Sequence, residues 1–381
     1  MPFYRIGVLG APSADQLVEF NDLLLRALAS YQLAVPADVE VLVQPARLAP
    51  LPEGCTVAVY FGSEVAVSQP IGSVLNIEEM TVIPVVSTET RVAQEIPADL
   101  QARNCLALAH GGMERVVSAT LECLGLLRRQ RQIFLSYRRS ESTAAALQLF
   151  DELSARGYEV FLDTHGVPPA VDFQDTLWHR LCNVDVMVML DTPSYFASRW
   201  TTEEFGRALA KNIGVLRVEW PSTTADAVTE TCSRVELTAE DLDAISGELS
   251  PEAIHRIVCQ LEEFRALAHA VRRESVLTQL QFAVQTIRGR ITHVGPGPSV
   301  DVNLPGNRHM TITPVIGVPD SSALEQSVQA AKGRDAAVLY DHVGVMPSWN
   351  DHLDWLGQNV RGARWVRLSQ AAWDLAGGGR R

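Results

Sequence analysis

Short apolar runs alternate with helical patterns along the first third of the chain. The runs YRIGVLG, CTVAVYFG and TVIPVV are continuous enough for buried strands, and SADQLVEFNDLLLRALASY and GMERVVSATLECLGLLRR repeat apolar residues at helical spacing. Strands that alternate with helices are typical of a parallel sheet covered by helices. The pattern closes near Arg129, so we predict an α/β domain over residues 1–129.

A second block, over residues 130–236, repeats this alternation more clearly. The runs QIFLSY, YEVFLD, DVMVMLD and IGVLRVEW predict strands, and STAAALQLFDELSARG, VDFQDTLWHRLCNV and TTEEFGRALAKN predict helices. Residues 221–237 are rich in Ser and Thr, and we expect a loop there.

The last third of the chain predicts a helical connector over residues 237–290 and a small α/β domain over residues 291–381. We expect two helices in the connector, the second capped by Ser250 with Pro251 at its first position. Residues 287–309 are rich in Gly and Pro, and no strand or helix is predicted there. Beyond them, TITPVIGV, DAAVLYD and RWVRL predict strands, and SSALEQSVQAAKG and NDHLDWLGQNV predict helices.

Composition indicates a globular protein, with 47% hydrophobic and 20% charged residues. The net charge of −13 argues against a nucleic-acid binder, which needs cations to displace counterions. The six cysteines are scattered without a Cys-x-x-Cys pair, and no apolar run has the length of a membrane span. We therefore expect a cytoplasmic protein that binds neither nucleic acid nor membrane.

Metal ligands are not clustered in the sequence. The pairs Asp341-His342 and Asp351-His352 are ten residues apart, but no helix places them at ligand spacing. We predict no metal site.

A polar cluster follows the strand QIFLSY without a spacer: Ser136, Tyr137, Arg138 and Arg139. The carboxyl edge of an open α/β sheet is where such folds bind ligands. Arginine matches a pyrophosphate in geometry, and tyrosine can stack on a ring or bond to it. The alternative for each arginine is a solvated loop. Only Lys211 and Lys332 are lysines among the 32 basic residues, so a single arginine carries little information.

Three segments of this block resemble the Toll/interleukin-1 receptor (TIR) domain family. IFLSYRRSES resembles its box 1, VFLDTHGVPPAVDFQDTL its second strand and BB loop, and VMVMLDTPSYFASRWTTEEFGRAL its fourth strand and Ser-x-Trp-x-x-x-Glu element. They occur in family order and at family spacing. The resemblance implies a flavodoxin-like TIR domain with a parallel sheet, flanked here by two further α/β domains.

TIR proteins with the Ser-Tyr-Arg-Arg form of box 1 include enzymes that cleave NAD⁺ at the nicotinamide–ribose bond, among them bacterial anti-phage effectors. The resemblance implies the same activity here, with NAD⁺ as the substrate and no cofactor. In such relatives the BB loop of a neighbouring TIR domain completes the site, which implies activation by self-association. The outer domains could bind an unknown small-molecule or protein trigger. The alternative is a non-enzymatic scaffold or adaptor that acts through TIR–TIR assembly.

By resemblance, the catalytic carboxylate is Glu204, with Trp200 as an aromatic wall four residues before it. Nicotinamide leaves NAD⁺ as a neutral base, so one carboxylate that stabilises the developing ribosyl cation is enough. Thr201-x-x-Glu204 also reads as a capping box, in which Glu204 bonds back to the amide of Thr201.

Two further candidates lie around the BB loop. Asp163, at the end of the second strand, could bond to ribose hydroxyls or be a plain loop acid, and Phe173 could form a wall of the nicotinamide site or belong to the core. Between them, Pro168 and Pro169 stiffen the loop and remove two amide donors, a departure from the family that bears on its substrate contacts.

Overall fold

The structure is a computed structural model that describes residues 2–65, 71–162, 173–223, 226–294, 297 and 299–377. The chain divides into two compact units, one of Met1–Arg129 with His255–Leu267 and the other of Gln130–Ile254 with Ala268–Arg381. Three five-stranded sheets are distributed over these units. The division into four segments that the sequence indicated remains a prediction.

The first unit contains a parallel sheet with the order β2-β1-β3-β4-β5. Its elements are β1 (Tyr4–Gly10), α1 (Ala14–Ser30), β2 (Val39–Val43), β3 (Cys55–Phe61), β4 (Thr81–Val86), α2 (Val92–Glu95), β5 (Leu106–Ala107) and α3 (Leu108–Cys123). The three strands predicted from apolar runs are present. The edge strands β2 and β5 were not predicted, because β2 is mostly half-exposed and β5 has only two residues.

The second sheet is also parallel, with the order β10-β9-β8-β6-β7. Its elements are β6 (Gln132–Ser136), α4 (Arg139–Ala155), β7 (Glu159–Leu162), α5 (Phe173–Asn183), β8 (Val186–Asp191), α6 (Arg199–Ala210), β9 (Gly214–Glu219) and β10 (Ser233–Glu236). This is the flavodoxin-like order, in which the second strand lies outside the first. The prediction of a loop over residues 221–237 was wrong at β10, an edge strand in which only Val235 is buried.

Residues 237–290 contain one long helix, α7 (Pro251–Thr286), capped by Ser250, whose hydroxyl accepts a bond from the amide of Ala253 at 3.1 Å. The earlier of the two predicted helices was wrong, since the chain there makes only a 3₁₀ turn at Ala239–Asp241. Residues His255–Leu267, in the first half of α7, belong to the first unit, and the remaining residues of the helix belong to the second.

The third sheet is mixed and has the order β11-β12-β13-β14-β15. Its elements are β11 (Arg290–Val294), β12 (Val300–Leu304), β13 (Arg308–Pro314), α8 (Ser321–Ala331), β14 (Asp335–Tyr340), α9 (Pro347–Asn359), β15 (Ala363–Arg367) and α10 (Ala371–Ala376). Strands β11 to β13 pair antiparallel, and β13 to β15 pair parallel. Strands β11 and β12 lie within the Gly- and Pro-rich residues 287–309, where the sequence predicted no element.

Helices pack against the faces of the second and third sheets. All six residues of β8 are buried, which makes it the centre of the second sheet. In the third sheet, Leu280 and Val284 of α7 pack on one face with Ile312, and Leu324 of α8 packs on the other with Val338. Within the described ranges, no helix is both long and apolar enough to cross a bilayer.

Candidate functional site

The site begins where β6 ends, at the carboxyl edge of the second sheet. Ser136 closes the strand and is buried together with Tyr137. Arg138 is half-buried and Arg139, the first residue of α4, is exposed. The polar cluster therefore lies at the sheet edge that the sequence predicted.

Glu204 reaches this edge from α6 through a buried hydrogen-bond chain. The Ser136 hydroxyl donates to Oε2 of Glu204 at 2.5 Å, and its oxygen lies 2.6 Å from the hydroxyl of Tyr195. Because the serine proton is given to the carboxylate, the Tyr195 hydroxyl is the donor to Ser136. None of the three side chains is more than 3% exposed. The chain of donors thus runs from Tyr195 through Ser136 to Glu204.

Tyr195 is held in the protonated form that is required for it to donate to Ser136. Complete burial raises the pKa of its hydroxyl well above the ordinary value, and the nearby charge of Glu204 raises it further. The hydroxyl therefore stays a donor throughout the neutral range.

The start of α6 decides between the two interpretations of the Thr201–Glu204 spacing. The N-cap is Ser198, so Thr201 already lies inside the first turn. Its hydroxyl donates to the carbonyls of Tyr195 at 2.5 Å and Ser198 at 3.1 Å. The capping-box hypothesis with Thr201 as N-cap was wrong, and Glu204 accepts its bond from Ser136 instead.

A cavity of about 400 Å³ opens beside this chain. It is lined by Tyr137, Arg138, Arg139, Ser140, Leu177, Ser198, Trp200, Thr201 and Glu204. Five of the eight candidate residues therefore share one cavity, and Ser136 contacts it through Glu204. Such a volume lies within the range of about 300–1,000 Å³ that small-molecule pockets occupy.

Two candidates cannot be placed in this cavity. Asp163 lies outside the described residues, as do residues 164–172 of the BB-loop segment. Phe173 begins α5, and its side chain lies outside the described part of the structure.

The cavity wall carries two guanidinium groups and two aromatic rings, from Arg138, Arg139, Tyr137 and Trp200. The guanidinium of Arg138 donates to the carbonyl of Ser194 and to the hydroxyl of Ser140 at 3.1 Å, which fixes its position at the cavity wall. Arg139 adds a second positive charge, and the ring of Trp200 is 47% exposed. Guanidinium groups bind phosphate oxygens in pairs, and exposed indole faces stack on rings.

A buried charge cluster beside the site was missed from the sequence. Arg217 on β9 is 1% exposed, and its Nε lies 2.9 Å from Oδ2 of Asp191 at the end of β8. Its Nη2 contacts Glu219, and its Nη1 donates to the hydroxyl of Thr229 at 3.1 Å. The signal was present in GVLRVE, since an arginine within a buried strand requires carboxylate partners on neighbouring strands.

Burial dominates the electrostatics of Asp191. Burial raises the pKa of the carboxyl group to about 6, and the negative charge of the neighbouring Glu219 acts in the same direction. The positive charge of Arg217 opposes this shift. Asp191 therefore titrates near neutral pH.

Two members of the Asp–His pairs in the third block contact other side chains. Asp341 pairs with the ammonium group of Lys211 at 2.5 Å, and the ring of His352 stacks on Trp355. Among the residues that the structure describes, no three His, Cys, Asp or Glu side chains cluster as metal ligands do.

Comparisons with known proteins agree with the geometry of the second sheet. A profile of the TIR domain family matches residues 133–249. No curated protein matches the chain. A solved structure, the C-terminal domain of glucosamine-fructose-6-phosphate aminotransferase from Francisella tularensis, is similar at 12% identity over 71% of this chain and 84% of that chain. Its TM-score of 0.18 is too low to bear on fold or function. The motifs, the sheet order and the family match together identify residues 133–249 as a TIR domain.

Proposed function

We propose that the TIR domain is an NAD⁺ glycohydrolase, which breaks the bond between nicotinamide and ribose. The observation that carries the proposal is the buried carboxylate of Glu204 in the wall of a cavity that it shares with Trp200 and two arginines. A carboxylate withdrawn from water acts more strongly on a nearby cation than a solvated one.

The chemistry asks little more of the protein than this carboxylate. The nicotinamide ring of NAD⁺ is already positive and leaves as a neutral base, so no acid has to protonate it. Positive charge grows on the ribose as the bond breaks, and Glu204 stabilises that charge. The bond from Ser136 holds the carboxylate in one orientation, so little reorganisation is required during the reaction. Water then attacks the ribose to give ADP-ribose, or an internal nucleophile cyclises it.

The remaining residues of the cavity serve binding. Arg138 and Arg139 suit the pyrophosphate, and Tyr137 and Trp200 suit the rings. Completion of the site by a neighbouring TIR domain is part of the proposal, so the specific activity is expected to rise with protein concentration. Constant specific activity from a protein that stays monomeric would exclude this part.

The direct test is nicotinamide release from NAD⁺ by the full chain and its Glu204→Gln variant. Glutamine keeps the size and an acceptor oxygen but removes the charge, so we expect a loss of about 10²–10³ in rate, on the order of 3–4 kcal/mol. Glu203→Gln is the matched control, because Glu203 pairs with Arg199 at 2.7 Å and lines no part of the cavity. An active parent with an equally active Glu204→Gln variant ends the catalytic assignment.

A role in defence extends the proposal, following the resemblance to anti-phage effectors. Cells that carry the chain are expected to lose NAD⁺ and restrict phage growth on infection, whereas cells with Glu204→Gln do neither. Equal restriction by both would favour the scaffold alternative, in which the buried Glu204 only supports the fold.

A further inference from the structure

A second cavity, of about 250 Å³, lies at the carboxyl edge of the three parallel strands of the third sheet. Strands β13, β14 and β15 end at residues 314, 340 and 367, and residues 315–317, 341, 343, 368 and 369 line the cavity. Ligands of open α/β sheets bind outside this edge of the strands. The position of the cavity therefore favours a ligand-binding site over a void left by imperfect packing.

The other walls come from three helices of the same unit. Arg272, Ser275 and Gln279 lie on one face of α7, at helical spacing. Lys211 and Asn212 follow the last residue of α6. The loops are fixed to α5, because the amide of Val318 donates to the side chain of Asn183 at 2.9 Å. The cavity is thus built before any ligand arrives.

The lining combines polar and apolar side chains and carries a surplus of positive charge. Lys211 is 13% exposed and pairs with Asp341 at 2.5 Å. Arg272 is 8% exposed and donates to the carbonyls of Val184 at 2.8 Å and Cys182 at 3.0 Å. These are the two cations and the one carboxylate of the lining, and the other polar side chains are Asn212, Ser275, Gln279 and Ser369.

We propose that this cavity binds a small phosphorylated sugar. The net positive charge complements one phosphate, and the amide, hydroxyl and carboxylate groups complement sugar hydroxyls. Lys211 supplies a compact charge with three donors. Asp341 is 41% exposed, so a phosphate that displaces its carboxylate from Lys211 does not leave a buried charge without a partner. The volume lies below the range of about 300–1,000 Å³ for drug-sized ligands, which excludes a dinucleotide.

Calorimetric titration of the full chain with ribose 5-phosphate tests the proposal. We expect saturable binding of one ligand per chain, at least tenfold weaker in Lys211→Met and abolished in Ser369→Trp, where an indole on an exposed residue fills the entrance. Lys332→Met is the matched control, since it removes the only other lysine, which is exposed at the C-cap of α8, and it is expected to bind like the parent.

Three results would overturn the site. The first is a parent that does not bind ribose 5-phosphate saturably up to about 10 mM, weaker than any useful affinity. The second is equal binding by the parent, Lys211→Met and Ser369→Trp. The third is binding lost in Arg139→Ala but kept in Lys211→Met, which would assign the ligand to the TIR cavity. Binding is measured without turnover, so the result is independent of whether Glu204 is catalytic.

Discussion

The hydroxyl of Ser136 lies 2.5 Å from the carboxylate of Glu204 and joins the end of β6 to the second turn of α6. The two residues are separated by 68 positions in the chain. Both are buried, so this bond directly links the polar cluster of box 1 to the proposed catalytic carboxylate.

Ser136→Ala is expected to lower both stability and rate. A hydrogen bond to a charged group contributes about 1.5–3 kcal/mol, and the buried Glu204 loses the hydrogen bond from Ser136 in this variant. We expect a lower urea midpoint and nicotinamide release slowed about tenfold or more, since 1.4 kcal/mol corresponds to a factor of about ten. Ser154→Ala, on an exposed position of α4, is the control. Unchanged midpoint and rate in Ser136→Ala would show that the bond has no energetic weight.

Tyr195→Phe removes the first donor of the same chain without a change in volume. Alone it is expected to cost about 1–3 kcal/mol of stability, because the oxygen of Ser136 is left without its buried donor. In a Ser136→Ala background the same change is expected to cost less, since its partner is already gone. A double-mutant cycle by urea unfolding measures the difference. Full additivity of the two changes would contradict the chain of donors.

Arg217→Met is expected to be severely destabilising. It leaves the buried carboxylate of Asp191 and the half-buried carboxylate of Glu219 without their common partner, and breaking a buried pair costs about 3–5 kcal/mol. Arg234→Met is the matched control, because Arg234 also approaches Glu219, at 3.9 Å, but is 55% exposed. Exposed pairs contribute about 0–1 kcal/mol. Similar melting temperatures for the two variants would refute the importance of burial here.

Asp191 predicts a pH dependence of stability. Its pKa is raised from 3.8 to about 6, so the folded protein holds the proton more tightly than the unfolded chain. Between pH 4 and 6 the aspartate ionises in the unfolded chain but stays protonated in the folded protein, which favours unfolding. Over this interval the free energy of unfolding of the parent falls by about 3 kcal/mol relative to a variant that does not titrate. The melting temperature of the parent minus that of Asp191→Asn should therefore fall over this interval and level off above it. A difference that rises with pH would mean that the attraction of Arg217 outweighs burial.

Glu204 and the box 1 residues could be found from the sequence because each belongs to a contiguous motif with fixed spacing. Tyr195 could not, since its hydroxyl meets Ser136 59 residues away and nothing in TPSYFASRW distinguishes a buried donor from a core ring. Arg217 was open to prediction, because a guanidinium in an apolar run has to find carboxylates.

The missed strands have different physical causes. In β12, residues 300, 302 and 304 are buried and the two between them are half-buried, so the alternation was present and was obscured by the surrounding Gly and Pro. In β10 only Val235 is buried, and a strand that contributes one residue to the core leaves almost no pattern. The N-cap of the long helix α7 was predicted correctly, whereas its length depends on tertiary packing, such as that of Leu280 and Val284 against the third sheet.

Helix α6 connects the walls of the two cavities, because Glu204 lines the first and Lys211, the C-cap of the helix, lines the second. Glu204 and Lys211 are seven residues apart, about two turns and about 10 Å of axial rise. The amide of Lys211 is bonded to the carbonyls of Arg207 and Ala208, which ties the lysine to the last turn. The carboxylate of one cavity and the ammonium group of the other are therefore carried by a single short helix and its cap.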